Sequence, residues 1–210
     1  MLALRQADAE RELHESQARL AKVAARLREI ELEGSPSQYD IVVKSVAPQW
    51  VISTREMVPT AEDMAERCWQ LHGLLHAWIR GHNLKPLSIP APQLLNLYYN
   101  TEYTEIDLDL EAAVMVSKPK AMPSEADLQT APVSILSREL PGEATVASGI
   151  HQGVMDDLHL LIKAIMCWVS ENGYAVSGPL REMHFSSSDN AFQPGQQRLV
   201  EIQLLVTASL

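Results

Sequence analysis

Apolar positions in residues 2–33 recur on a period of seven. Leu13, Leu20 and Leu27 share that spacing, and Val23 and Ile30 fill the places between, so Leu20/Val23 and Leu27/Ile30 read as a/d pairs of a coiled coil. Ala, Leu, Arg and Glu dominate the stretch, and Gly34-Ser35-Pro36 end it. At 1.5 Å per residue the predicted helix is about 48 Å long. One narrow seam on so long a helix calls for a partner, most simply a second copy of the chain. A helix lying on the surface of the following body would bury the same seam.

After Gly34 the period shortens to two. Tyr39–Val46 and Trp50–Val58 alternate as strands joined at Ala47-Pro48. Ala61–Arg80 has the helical period, with Thr60 as N-cap and Glu62 and Asp63 in an acidic first turn. Gln93–Asn100 and Glu105–Ser117 are strands again, and Lys118–Pro132, with three prolines, reads as a linker or long loop. The order then repeats. Val133–Leu140 and Glu143–His151 are predicted strands, Val154–Asn172 a helix stopped by Gly173, and Leu180–Ser186 and Arg198–Thr207 the last two strands. Trp78-Ile79-Arg80 of the first helix corresponds to Trp168-Val169-Ser170 of the second, 90 residues later, and Pro92 and Pro179 precede the strand that follows each helix.

The pattern predicts an α+β fold built from a duplicated module. Two repeats, about 39–117 and 133–207, form one antiparallel sheet with two packed helices and a central groove where the halves meet. The domain limits are 1–34 for the dimerisation helix and 35–210 for the body. A groove between modules is where small-molecule sites tend to lie.

Composition narrows the function classes. The chain has 210 residues, 46% apolar and 21% charged, which excludes a disordered or fibrous protein. No apolar run is long enough to span a bilayer, and the charged N-terminus lacks a signal-peptide core, so a cytoplasmic location with no membrane partner is expected. The net charge of −10 disfavours direct contact with nucleic acid. Of that charge, residues 1–33 carry −1 and the body −9. Cys68 and Cys167 sit in apolar helical stretches and read as inert thiols. No phosphate-binding loop, dinucleotide fingerprint or G-x-S-x-G elbow is present, Ser186-Ser187-Ser188 included, and no cofactor is expected.

The stretch Gly173–Phe185 holds the candidate chemistry. On a strand, Glu182 and His184 share one face and Arg181, Met183 and Phe185 the other. With Met183 and Phe185 packed under the helix, Glu182 and His184 would face the groove. Aligning Asn96-Leu97-Tyr98-Tyr99 with Glu182-Met183-His184-Phe185 puts Asn96 and Tyr98 on the equivalent face. One carboxylate among aromatic groups suits a flat lipophilic cation. A solvated strand face and ordinary tyrosine packing would account for the same pattern. His151, beside Gly153 at a strand-to-helix turn, is a further candidate for the groove lining or for the turn itself. His72, His76 and His82 have a helical spacing compatible with a metal, but no third ligand or H-E-x-x-H pattern supports one, so they read as packed or surface histidines and no metal is expected.

The chain carries Ala47-Pro48, Arg55 and Val58-Pro59, then His151-Gln152-Gly153, then Trp168, Gly173-Tyr174, Gly178-Pro179 and Arg181-Glu182. In this ordered set residues 39–207 resemble the GyrI-like, or AraC-type, effector-binding domain, and the long helix resembles the dimerisation helix of MerR-family regulators. The resemblance implies a pocket glutamate at Glu182 that meets a cationic drug. The family often has tyrosine where this chain has His184 and Met155, so its pocket is less aromatic at those points. It also implies a winged helix-turn-helix domain ahead of the helix, which these 210 residues lack. The expected function is the effector-binding and dimerisation part of a MerR-type transcription regulator, not an enzyme. It would sense a small lipophilic, cationic molecule, pair as a homodimer through the N-terminal helix, and meet DNA only through a separate domain. The alternatives are a GyrI-like hydrolase of reactive toxins, with Glu182 as general base, and a protein-binding inhibitor.

Overall fold

In a computed structural model the described residues are 37–87, 94–100, 102, 104–119, 133–185 and 197–209. Two compact units divide the chain, Met1–Gln38 and Tyr39–Leu210. The predicted coiled-coil helix, and most of the predicted 118–132 linker, lie outside the described residues.

The second unit runs β1 (Val42–Val46), β2 (Gln49–Thr60), α1 (Met64–Gly81), β3 (Leu94–Tyr98), β4 (Ile106–Met115), β5 (Leu136–Leu140), β6 (Glu143–Gly153), a 3-10 turn (Met155–Asp157), α2 (Leu158–Glu171), β7 (Tyr174–His184) and β8 (Arg198–Ala208). Each half is therefore strand, strand, helix, strand, strand. The eight strands form one antiparallel sheet in the order β1-β6-β8-β7-β3-β4-β2-β5. Exchanging the halves, β1 for β5 and so on, reproduces that order in reverse. A pseudo-twofold thus passes through the β3–β7 pair.

Both ends of this order are tied together by the chain. Only Ala47-Pro48 separate β1 from β2, and only Pro141-Gly142 separate β5 from β6. The β1–β6 ladder ends at Val46 opposite Glu143, and the β2–β5 ladder begins at Gln49 opposite Leu140. Two long extended runs therefore cross at this point, and the sheet curls round on itself. The crossing is close: a Cβ on Gly142 would lie 2.8 Å from Pro48 Cδ and 3.0 Å from the Val46 carbonyl oxygen. Pro48 has no N–H to leave unpaired there.

Curling gives the sheet an inner and an outer face. The helices cover the outer one. Cys68, Leu71, Leu75, Trp78 and Ile79 of α1 pack on Ile52, Val58, Leu110, Ala112 and Val114. Leu158, Leu161, Ile165 and Val169 of α2 pack on Ala147, Val200, Ile202, Leu204 and Val206. The inner face holds Val51, Leu95, Leu97, Ala113, Leu140 and Met183. The buried positions of the two helices match at the spacing that relates Trp78 to Trp168, which is the physical content of the duplication.

Among the differences from the sequence pattern, two boundaries and one strand face bear on the site. The first helix starts at Met64, not Ala61, and Thr60 is not its N-cap. Thr60 is still strand; its hydroxyl donates to Asp63 Oδ2 at 2.7 Å and so holds a turn ahead of the helix. The seventh strand starts at Tyr174, because Gly178-Pro179 sits in a register irregularity between Val176 and Leu180 that tolerates a proline inside a strand. Met183 and Phe185 do not pack under a helix. They lie with the inner cluster, which puts Glu182 and His184 on the helix-covered face.

Two glycine substitutions test this description. Gly142→Ala forces a Cβ into the crossing and is expected to lower stability by about 1–3 kcal/mol. Gly73→Ala, in the exposed middle of α1 with nothing within 4 Å of its Cβ, is expected to raise it by about 0.5–1 kcal/mol. Urea denaturation midpoints read both, and a neutral Gly142→Ala would mean the crossing is looser than described.

Candidate functional site

Where the two halves meet, β3 and β7 pair with Asn96 directly opposite Glu182. Equivalent residues of the two repeats thus face each other across the pseudo-axis. Their other neighbours, Ala112 on β4 and Ile202 on β8, belong to the cores under α1 and α2. The pair therefore sits at the seam between two hydrophobic cores, on the helix side of the sheet.

Glu182 is buried there, only 6% exposed. A carboxylate in such surroundings is stable only if its oxygens are met. His184 Nε2 lies 2.5 Å from Oε1, and the Asn96 side-chain amide donates to the same oxygen at 3.4 Å. The Tyr98 hydroxyl donates to Oε2 at 3.1 Å. His72, from α1, closes the group with Nε2 2.9 Å from Asn96 Oδ1. An ionised carboxylate offers about four acceptor positions, so three donors leave one open, on Oε2. Burial pushes the Glu182 carboxyl up, but His184, Tyr98 and Asn96 outweigh it and hold the group below the usual carboxylate range. Burial drives the Tyr98 hydroxyl well above its ordinary value, with the Glu182 charge next, so Tyr98 stays a donor. Burial and then the Glu182 charge push the Cys68 thiol upward too, which makes it no nucleophile.

Comparison with the other buried carboxylates shows what is unusual. Among the described residues three glutamates are buried: Glu111, Glu182 and Glu201. Arg138 Nη2 meets Glu111 Oε2 at 2.6 Å, with the Tyr99 hydroxyl donating to the same oxygen. Lys44 Nζ meets Glu201 Oε1 at 2.5 Å, where Ser148 and Gln203 also donate. Each of those two has a permanent cation. Among the described residues Glu182 has only a histidine.

Four of the five residues singled out in the sequence come together here: Glu182, His184, Asn96 and Tyr98. His151 does not join them. Its Nδ1 is 2.9 Å from the Tyr39 hydroxyl and its Nε2 is 2.9 Å from the Val154 carbonyl oxygen, so it ties the β6 end to the turn before α2. It shares a sheet row with His184, but Val200 stands between them. His72 is the residue that sequence reasoning left out of the site, having read the helix histidines as packed or surface side chains rather than metal ligands. Its signal was its phase: it falls between the buried Leu71 and Leu75, and its counterpart in the second helix is Ile162. His82 serves α1 instead, with Nδ1 2.8 Å from the Trp78 carbonyl oxygen and its ring stacked on Trp78. No group of three His, Cys, Asp or Glu among the described residues is arranged to hold a metal. Asn96, Glu182 and His184 are all buried at this seam. Among the described residues no helix is long and apolar enough to cross a membrane.

The chain can now be set beside known proteins. A family described as a GyrI-like small molecule binding domain matches residues 39–206. The chain is similar to the C-terminal domain of EcmrR, with a TM-score of 0.65 and 23% identity over 81% of this chain and 99% of that one. It is also similar to EcmrR in a cryo-EM structure of an EcmrR–DNA complex, with a TM-score of 0.66 and 21% identity over 95% of this chain and 69% of that one. A Listeria innocua protein named as a hydrolase aligns at a TM-score of 0.51 and 12% identity, over 86% of this chain and 97% of that one. These likenesses share the fold. No curated protein sequence matches the chain.

The buried histidine gives a stability test. Burial lowers His72 to about 4, against an ordinary value near 6.5, with the Asn96 contact opposing. Between those values the unfolded chain binds a proton that the folded chain refuses. Stability therefore falls as pH drops from about 6.5 to about 4, by on the order of 3 kcal/mol from this residue. His72→Ile, which copies Ile162, is expected to lose less stability than the parent between pH 7.5 and pH 5 in urea denaturation. Equal losses in the two would place the sensitivity elsewhere.

Proposed function

The chain belongs to the GyrI-like family of small-molecule binding domains, and on that premise we propose that it binds a lipophilic cation against Glu182 as the effector-sensing part of a MerR-type transcription regulator. The observation that carries the ligand's charge is the contrast among the buried glutamates. Glu111 and Glu201 are neutralised by Arg138 and Lys44, whereas Glu182 keeps its charge beside a histidine, an amide and a phenol. A low-polarity seam makes an added cation worth far more there than at the surface. The single open position on Oε2 favours a delocalised cation, or one with a single N–H, over a guanidinium that needs two acceptors. Entry requires the covering side chains to move, so the ligand must prefer the rearranged state if it is to signal at all.

The same geometry favours a counter-charge over a catalytic base. A carboxylate that already accepts three hydrogen bonds and is held below its usual range is a poor proton acceptor at neutral pH. The regulator context is supported by the shared fold with EcmrR, one structure of which is a DNA complex. In this reading residues 1–34 form the dimerisation helix that transmits the ligand's effect, and DNA contact belongs to another domain.

Two experiments test the proposal. Quenching of the four tryptophans reports binding of tetraphenylphosphonium and of neutral triphenylphosphine oxide. Glu182→Gln is expected to weaken the cation roughly tenfold or more and leave the neutral compound unchanged. Equal effects on both would remove the glutamate's role. Sedimentation velocity is expected to show a dimer that Leu20→Glu with Leu27→Glu converts to a monomer, because charges in the seam cannot be buried unpaired.

A further inference from the structure

This inference rests on the proposed cation site and concerns what holds that site when it is empty. His184 Nε2 lies 2.5 Å from Glu182 Oε1, on the same strand and the same face. Its position corresponds to Tyr98 in the other half, so the duplication places a phenol at one of the two equivalent points and an imidazole at the other. A phenol offers the carboxylate a neutral hydrogen bond and no positive charge. An imidazole can also carry a full positive charge and can give it up near neutral pH.

We propose that protonated His184 is the resident counter-ion of the empty site, and that a permanently charged ligand binds by exchange for its proton. The balance is simple. The empty site holds an imidazolium and a carboxylate. The ligand brings one positive charge, one N–H bond of His184 breaks, and one proton leaves to solvent. The complex then holds a neutral imidazole, the carboxylate and the ligand. No other group need change its charge.

The groups facing His184 and Glu182 fit this division of labour. From α1 come Cys68 and His72, with His76 beyond His72; from β3 come Asn96 and Tyr98. Glu56, which also acts on Cys68, is held by a bidentate contact from Arg67. His72 is kept neutral by burial down to about 4, and Tyr98 and Cys68 stay protonated, so none of them changes charge between pH 5.5 and 8.5. His151, in the same sheet row, lies beyond Val200 and makes its own contacts with Tyr39 and Val154. The direct contact with the carboxylate assigns the displaced proton to His184, and His184→Gln separates that assignment from His76. His184 also decides which ligands gain from pH: cations compete with the imidazolium and neutral molecules do not.

The test is calorimetric titration of the whole chain with tetraphenylphosphonium, whose charge is independent of pH. Paired buffers of low and high ionisation enthalpy count the protons released. The expected result is proton release that is greatest at the acid end of the range and falls as the pH rises. Affinity rises up to tenfold per pH unit at the acid end and levels off above the histidine titration. His184→Gln, which keeps a donor but cannot titrate, should bind with no proton release and no pH dependence. In the parent protein, NMR of the histidine ring protons should show the His184 midpoint falling when the ligand saturates the site. That measurement needs no variant to fold. Proton-free, pH-independent binding by the parent overturns the exchange while leaving the Glu182 site intact. Release that persists in His184→Gln assigns the proton to another group and also overturns it. Absence of tetraphenylphosphonium binding at every pH overturns the cation site and the exchange together.

Discussion

The crossing of two extended runs at Pro48 and Gly142 is the constraint from which the rest of the architecture follows. An eight-stranded sheet with free edges would present two rows of unpaired backbone groups. Here the edge ladders are laid end to end by two-residue links, and backbone meets backbone too closely for a side chain on Gly142. Once that contact is made, the sheet must curl. Its inner face becomes a core around Leu95, Leu97 and Met183, and the helices have only the outer face to cover.

Curling also fixes where chemistry can sit. Each helix covers the strands of its own half, leaving the β3–β7 junction as the one seam that belongs to both. The paired stretches of the junction strands, Leu94–Tyr98 and Leu180–His184, are mostly buried, so a polar residue there must be satisfied by its neighbours or change its charge. Asn96, Tyr98 and His184 supply the hydrogen bonds that Glu182 accepts, His72 holds Asn96 in place, and none supplies a permanent charge. The site is thus stable as a network yet incomplete as an ion pair. The inner face, where Arg138 and Lys44 reach their carboxylates, has no such deficit.

Much of this was legible in the sequence because duplication lets one chain be compared with itself. The two helical patterns locate the core, since Leu71 and Leu161, Leu75 and Ile165, and Ile79 and Val169 keep the same character. Alignment of Asn96 with Glu182 and of Tyr98 with His184 brings the central residues together correctly. Three things were out of reach. Period-two alternation says which residues share a face but not which face the helices cover, so Met183 and Phe185 were assigned to the wrong side. Curling is set by short links between strands far apart in the sheet order, which no local pattern encodes. The roles of His151 and His72 were left open for one reason: a histidine's role depends on what its ring nitrogens meet, and those partners, Tyr39, Val154 and Asn96, are distant in sequence or supplied by the backbone.

A seam on a pseudo-twofold axis has one more property. A molecule centred there meets two nearly superimposable frames, one from each repeat. Were they identical, it would have two equally good poses related by half a turn, and its binding would carry no direction. Glu182 facing Asn96 lifts that degeneracy, since one repeat offers a charge where the other offers an amide. A cation centred there with its charge at one end would be seated one way round, with its tail toward the first half. Orientation would then be written where the two copies of one module diverge, at Asn96 and Glu182 and at Tyr98 and His184.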